Sequence, residues 1–304
     1  MAQANDFTFL LIAVVSFALV KIGFDTKAFD SISKLLINLC LPSLILLSFS
    51  SMGADVFQYE AVFVVVFTAV YIFITYSVAR MVLRRYKNMA RKEILPLNMA
   101  VGNISFLGIP FSALLFGEWG VRLTILSSIA VDFFIFSVVY AMFAGKNSFR
   151  QWLGSMLNPC FIAIVVGFGL ALMQLQVPAI IRTPMYMLSD MTMPLALLYI
   201  GNLLAQNTHA LKNIDREAVI SIAIKGFALP PIVFVLLTAM GTSRELVLLC
   251  TFFTALPAGM FSVIFSKEFN KDIAFANVVF VLSAFIFMAG CLAVYVLMDV
   301  PISP

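Results

Sequence analysis

Charge is scarce in this chain, and that scarcity decides its class. Only 11% of the 304 residues are charged, 62% are hydrophobic, and the mean hydropathy is +1.06. Soluble domains run nearer a quarter charged, so the composition excludes a water-soluble globule and predicts an integral membrane protein with the lipid bilayer as its surroundings. Histidine is almost missing: His209, in a polar loop, is the only one, which argues against a histidine proton relay. The four cysteines, Cys40, Cys160, Cys250 and Cys291, fall in apolar stretches without ligand-pair spacing, so neither a metal site nor a disulfide framework is expected. No basic run carries interleaved aromatics, so no nucleic-acid partner is expected. A nucleophile–base pair, an HExxH run and paired carboxylates are all missing; no catalysis and no cofactor are implied. The N-terminal apolar run lacks the basic lead of a cleaved signal and reads as a retained first helix.

What is there is a series of apolar runs about 20 residues long, the length that crosses a bilayer. Ten are expected, near 7–22, 33–52, 57–83, 94–117, 121–144, 154–174, 184–206, 215–240, 244–266 and 272–298. Loops after odd-numbered spans, with their flanks, hold 15 Lys and Arg; loops after even-numbered spans hold only Arg122, Arg182 and Arg244. The positive-inside rule then puts both termini on the non-cytoplasmic side.

Prolines repeat with a half-chain period. Pro42 in span 2 pairs with Pro194 in span 7, and Pro110 in span 4 pairs with Pro257 in span 9. Proline lacks an N–H and clashes with the preceding turn. Two interrupted spans at corresponding positions of two halves point to a secondary-transporter binding site. The halves, 1–150 and 151–304, hold five spans each. An odd number forces the second half into the membrane upside down, so the expected fold is all-α, ten membrane helices in a 5+5 inverted repeat, with spans 4 and 9 broken.

The residues of these spans resemble the auxin efflux carrier family, which includes the plant PIN-type carriers and bacterial organic-acid carriers. Span 4 runs from Asn103 through Gly108, Ile109 and Pro110 to Gly117, similar to the family's first crossover. Span 9 has Ala255, Leu256, Pro257, Ala258 and Gly259, then Lys267, Glu268, Phe269 and Asn270, similar to the second. Asn38 and Pro42 in span 2, and Ser189, Asp190, Pro194 and Gly201 in span 7, match weaker patterns. The resemblance covers the whole chain, except that the long loop between halves of the plant carriers is missing. It implies a scaffold of spans 1, 2, 6 and 7, a moving transport domain of spans 3–5 and 8–10, and a compact bacterial inner-membrane protein.

The residues also suggest how a site could work. Half-helix N-termini at Pro110 and Pro257 would leave N–H groups unpaired, an anion site with no mobile cation. Gly108 and Gly259 would let backbone approach a ligand. Asn103 offers a donor and an acceptor, with Thr251 and Thr254 in the counterpart region; alternatively these side chains satisfy carbonyls freed by the breaks. The expected substrate-binding set is therefore Asn103, Gly108, Ile109, Pro110, Thr251, Thr254, Pro257, Ala258 and Gly259. Asp132 in span 5 and Lys225 in span 8 lie deep, where an isolated charge is costly; they are expected to pair, structurally or for proton coupling. Phe106 and Asp190 are minor candidates.

The expected activity is alternating-access transport of a small organic anion, such as a carboxylate or auxin-like acid. A sodium-coupled carrier like the bile acid symporters and a ligand sensor that does not transport are the alternatives. A homodimer is compatible with the scaffold.

Overall fold

A computed structural model describes residues 8–24, 31–32, 34–52, 58–139, 159–206, 208, 212 and 214–298. The expected junction of the two halves and His209 lie outside these residues. Among the described residues all regular elements are helical: α1 (Thr8–Lys21), α2 (Leu41–Met52), α3 (Tyr59–Val82), α4 (Ile94–Ala100), α5 (Ile109–Phe134), α6 (Pro159–Leu172), α7 (Ala179–Asp190), α8 (Thr192–Gln206), α9 (Arg216–Ala223), α10 (Leu229–Ala239), α11 (Arg244–Ala255), α12 (Phe261–Glu268) and α13 (Ile273–Met298). Five stretches are long and apolar enough to cross a membrane: Tyr59–Arg85, Ile109–Phe134, Ala179–Gln206, Arg216–Ala239 and Ile273–Gly290. The other expected spans fall on shorter or interrupted helices.

α3 illustrates how sequence becomes a membrane helix. Its buried residues Ala61, Val64, Thr68, Ile72, Tyr76 and Ala79 recur every three or four positions and form one stripe. Val62, Val66, Val70, Phe73 and Ile74, on the remaining surface, are exposed yet apolar. In water that face would be a liability; against hydrocarbon it is compatible.

Small residues set the close approaches. A Cβ on Gly201 of α8 would lie 2.1 Å from the Ala13 carbonyl oxygen of α1, and one on Gly167 of α6 would lie 2.9 Å from Phe49 Cβ of α2. Ser16 locks the first crossing by donating its hydroxyl to the Leu198 carbonyl, 2.6 Å. Backbones meet this closely only where side chains are minimal. α1 thus packs on α8, and α2 on α6 and α7. A second set of contacts joins α3 to α4 and α5, α10 to α11, and α13 to α9 and α12.

Spans 4 and 5 were expected as separate helices. The stretch labelled α5 is indeed two helices that meet in a kink at Gly117, whose φ of 63° and ψ of −156° are non-helical and suit glycine.

Candidate functional site

The two interrupted segments meet. α4 ends at Ala100 and Val101 is extended (φ −100°, ψ 121°); α11 ends at Ala255 and Leu256 is extended (φ −53°, ψ 141°), as expected of a residue before proline. Gly102 and Ala258 then face each other in an isolated antiparallel β-bridge. The Asn103 N–H donates to the Pro257 carbonyl (2.9 Å) and the Gly259 N–H to the Val101 carbonyl (3.0 Å). The Ala258 N–H donates to Ser283 Oγ of α13 (3.1 Å).

This geometry corrects three expectations. The first break is at Val101–Asn103, not at Pro110, which lies in a helix running on from the π-helical turn Ile104–Gly108, with Gly108 itself helical. The N–H groups of Asn103, Ala258 and Gly259 are engaged by protein rather than aimed at a ligand. Gly108 and Gly259 make room for the other segment: a Cβ would lie 3.0 Å from Leu256 Cδ1 at Gly108, and 3.2 Å from Val101 Cγ1 at Gly259. Thr254 is fully buried and its hydroxyl donates to the Thr251 carbonyl (2.7 Å), the local role that the sequence left open.

Of the expected substrate-binding residues, the structure brings Ile109 and Pro110 to an open cleft of about 540 Å³. Its walls are Leu44, Leu47 and Ser48 of α2, Ala113, Glu118, Val121 and Arg122 of α5, Tyr186 and Asp190 of α7, and Thr192, Met193 and Pro194 of α8. Asn103 (5% exposed), Thr254, Pro257, Ala258 and Gly259 do not line it; they are buried in or beside the bridge. Thr192 is 3% exposed and its hydroxyl has no hydrogen-bond partner. Another groove of similar size, between Val65, Val70 and Phe73 of α3 and Ile129 and Phe133 of α5, is apolar throughout and suits acyl chains better than a polar solute.

Asp132 and Lys225 do not pair. Lys225 is 3% exposed and its Nζ has no hydrogen-bond partner; Asp132 lies in electrostatic reach of Cys160 on α6 instead. Lys225 occupies a π-helical turn, Ile224–Ala228, that packs on α4 and α11. Each neighbour carries another unpartnered polar side chain: Asn98 on α4 and Thr251 on α11.

Sequence reasoning missed the charged walls of the cleft, although Arg122 stood out as one of three basic residues in the even-numbered loops. It also missed a polar knot built around Arg91. Arg91 donates to Asp272 (2.7 Å), Glu217 (2.5 Å) and Asp215, and stacks over Phe275 at 4.6 Å. Tyr86 donates to Glu217, and Lys271 pairs with Glu93 at 2.5 Å. Asp215 and Asp272 also cap the α9 and α13 N-termini through Ala218 and Phe275 N–H groups. The three carboxylates hold the Arg91 pKa above its ordinary value although burial opposes this. Burial first, and then the bond to Glu217, push Tyr86 up to about 12.

The model of a family described as membrane transport protein matches residues 4–151 and matches again over residues 147–296. None of the curated proteins matches the chain.

Proposed function

The chain belongs to the membrane transport protein family, that of the auxin efflux carriers, and on that premise we propose that it moves a small organic carboxylate across the membrane by alternating access. The supporting observation is the cleft: about 540 Å³, floored by Ile109 and Pro110 and walled by α2, α7 and α8 on one side and α5 on the other. A volume of that size holds a small molecule. Its walls come from the two sets of helices that pack within themselves, so sliding one set against the other would close it.

In this reading α1, α2 and α6–α8 are the scaffold, and α3–α5 and α9–α13 are the transport unit of a ten-span, 5+5 inverted repeat. The bridged segments are the crossover. The substrate sits on the Ile109–Pro110 floor; Asn103, Gly108, Thr251, Thr254 and Pro257–Gly259 hold that floor in place. Lys225 adds positive potential from below. By the basic-residue count, the cleft opens on the non-cytoplasmic side of a bacterial inner membrane, where both termini lie.

Exchange of 3-phenylpropanoate and of smaller carboxylates across proteoliposomes containing the purified protein tests this. We expect saturable flux, and we expect Ala113→Trp, which fills the cleft from an exposed position, to lower it at least about tenfold without lowering the melting temperature. That factor corresponds to about 1.4 kcal/mol of binding. Equal flux in that variant would remove the substrate from the cleft.

A further inference from the structure

Three charged side chains surround the cleft, and none is neutralised. Arg122 and Glu118 stand four residues apart on α5, and Asp190 stands at the end of α7 on the other wall. Glu–Arg at that spacing is a favourable helix pair, yet the ion pairs among the described residues are made by Arg91 and Lys271. Arg122 also borders a small neighbouring pocket of about 70 Å³ with Glu60, but Glu60 accepts a hydrogen bond from Trp119 Nε1 (2.7 Å). The cleft therefore offers one guanidinium and two carboxylates, a formal charge of −1. A plain anion entering it meets attraction from Arg122 and repulsion from two acids.

Most of the remaining lining is apolar, with Leu44, Leu47, Val121, Met193 and the two prolines, and Ser48, Tyr186 and Ser189 add uncharged polar groups. Set into it is the buried hydroxyl of Thr192, which lacks a partner. Guanidinium is the cation best matched to a carboxylate, by a planar two-point contact. A carboxylate on the facing wall is the natural acceptor for an ammonium. Both signs with an apolar remainder fit a zwitterion with a large apolar substituent.

We propose that the solute seated in this cleft is a large apolar α-amino acid, its carboxylate on Arg122, its ammonium on Asp190 and its side chain on the apolar walls. This rests on the carboxylate-carrier reading and narrows it. The ammonium and carboxylate of one molecule then bridge α5 and α7, so the ligand contacts both of the walls that must move relative to each other.

The experiment uses three probes on one skeleton: phenylalanine, 3-phenylpropanoate without the ammonium, and 2-phenylethylamine without the carboxylate. Their half-saturation concentrations are measured by thermal shift on the full-length protein in detergent, and their exchange in proteoliposomes. Phenylalanine is expected to bind about tenfold or more tightly than either analogue, one charged contact each at a partly solvated rim. Asp190→Asn should erase its advantage over 3-phenylpropanoate, and Arg122→Gln its advantage over 2-phenylethylamine. Because each result is a ratio within one variant, a change in folded fraction does not mimic it. Binding and exchange of 3-phenylpropanoate as good as that of phenylalanine would overturn the inference and leave the carboxylate carrier standing. A preference for the amine, ratios unmoved by both substitutions, or no response to any probe would overturn the inference as well.

Discussion

Lys225 holds its ammonium in a helix bundle with no hydrogen-bond partner, a placement that natural proteins keep for a reason. An unpaired buried cation costs several kcal/mol, so an apolar isostere should be tolerated by the fold. Lys225→Met is expected to leave the melting temperature unchanged or higher and to slow exchange at least about tenfold (1.4 kcal/mol on the barrier); a variant with lower stability and full activity would contradict this. At this scale the sequence told depth but not direction. Counting residues along span 8 put Lys225 deep, and it is. Asp132 is also in the middle of its span, but the azimuth of each helix decides which side chains meet, and that depends on packing partners. The same limit applies to Arg122, Glu118 and Asp190. They are scattered along the sequence, and only the fold brings them around one cleft.

Proline acts on the elements in a way the sequence half revealed. Three of the four π-helical turns among the described residues, Leu36–Cys40, Ile104–Gly108 and Ile224–Ala228, end two residues before a proline, Pro42, Pro110 and Pro230; the fourth, Ile135–Val139, does not. A proline ring clashes with the carbonyl four residues back, and widening the turn relieves the clash. Leu41 and Leu229 accordingly bond five residues back, to Leu36 and Ile224. Proline periodicity thus located the special turns, but at Pro110 it predicted a break where there is a bulge. The true break at Val101–Asn103 carries no proline. It depends on Gly102, where a Cβ would stand 3.0 Å from Leu256 Cβ of the other segment, a long-range constraint invisible in span 4 alone. Pro257, in contrast, breaks its helix where expected. Since Pro230 holds open the turn that carries Lys225, Pro230→Ala should let α9 and α10 join regularly and rotate Lys225 away from α4 and α11. Faster-decaying transport with preserved or increased thermal stability is the expected outcome, read by flux and melting temperature on one preparation. Unchanged transport would separate the bulge from function.

Over the whole molecule, composition made the membrane class plain, and the twofold family match agrees with the half-chain period of the prolines. The way the halves interleave was harder to read. Segments from both halves join at the Gly102–Ala258 bridge and again at the Arg91 knot, where Asp215, Glu217 and Asp272 of the second half hold an arginine of the first. In the sequence Arg91 was only one of the basic loop residues that set orientation, and its three acidic partners carried no signal. Ties at both the bridge and the knot join α4, α9, α11 and α13, which suits a unit that moves as one body. The cleft lies between that unit and the helices packed around α2 and α8, so the account turns on relative motion across it. The most direct measurement places one cysteine on each wall, Ala113→Cys and Met193→Cys, in a background without the four native cysteines. The pair is joined with a cleavable bifunctional thiol reagent, and carboxylate exchange is followed in proteoliposomes. Exchange is expected to stop when the linker spans the cleft and to return when it is cleaved; undiminished exchange with the walls tied together would rule out transport by relative motion across the cleft.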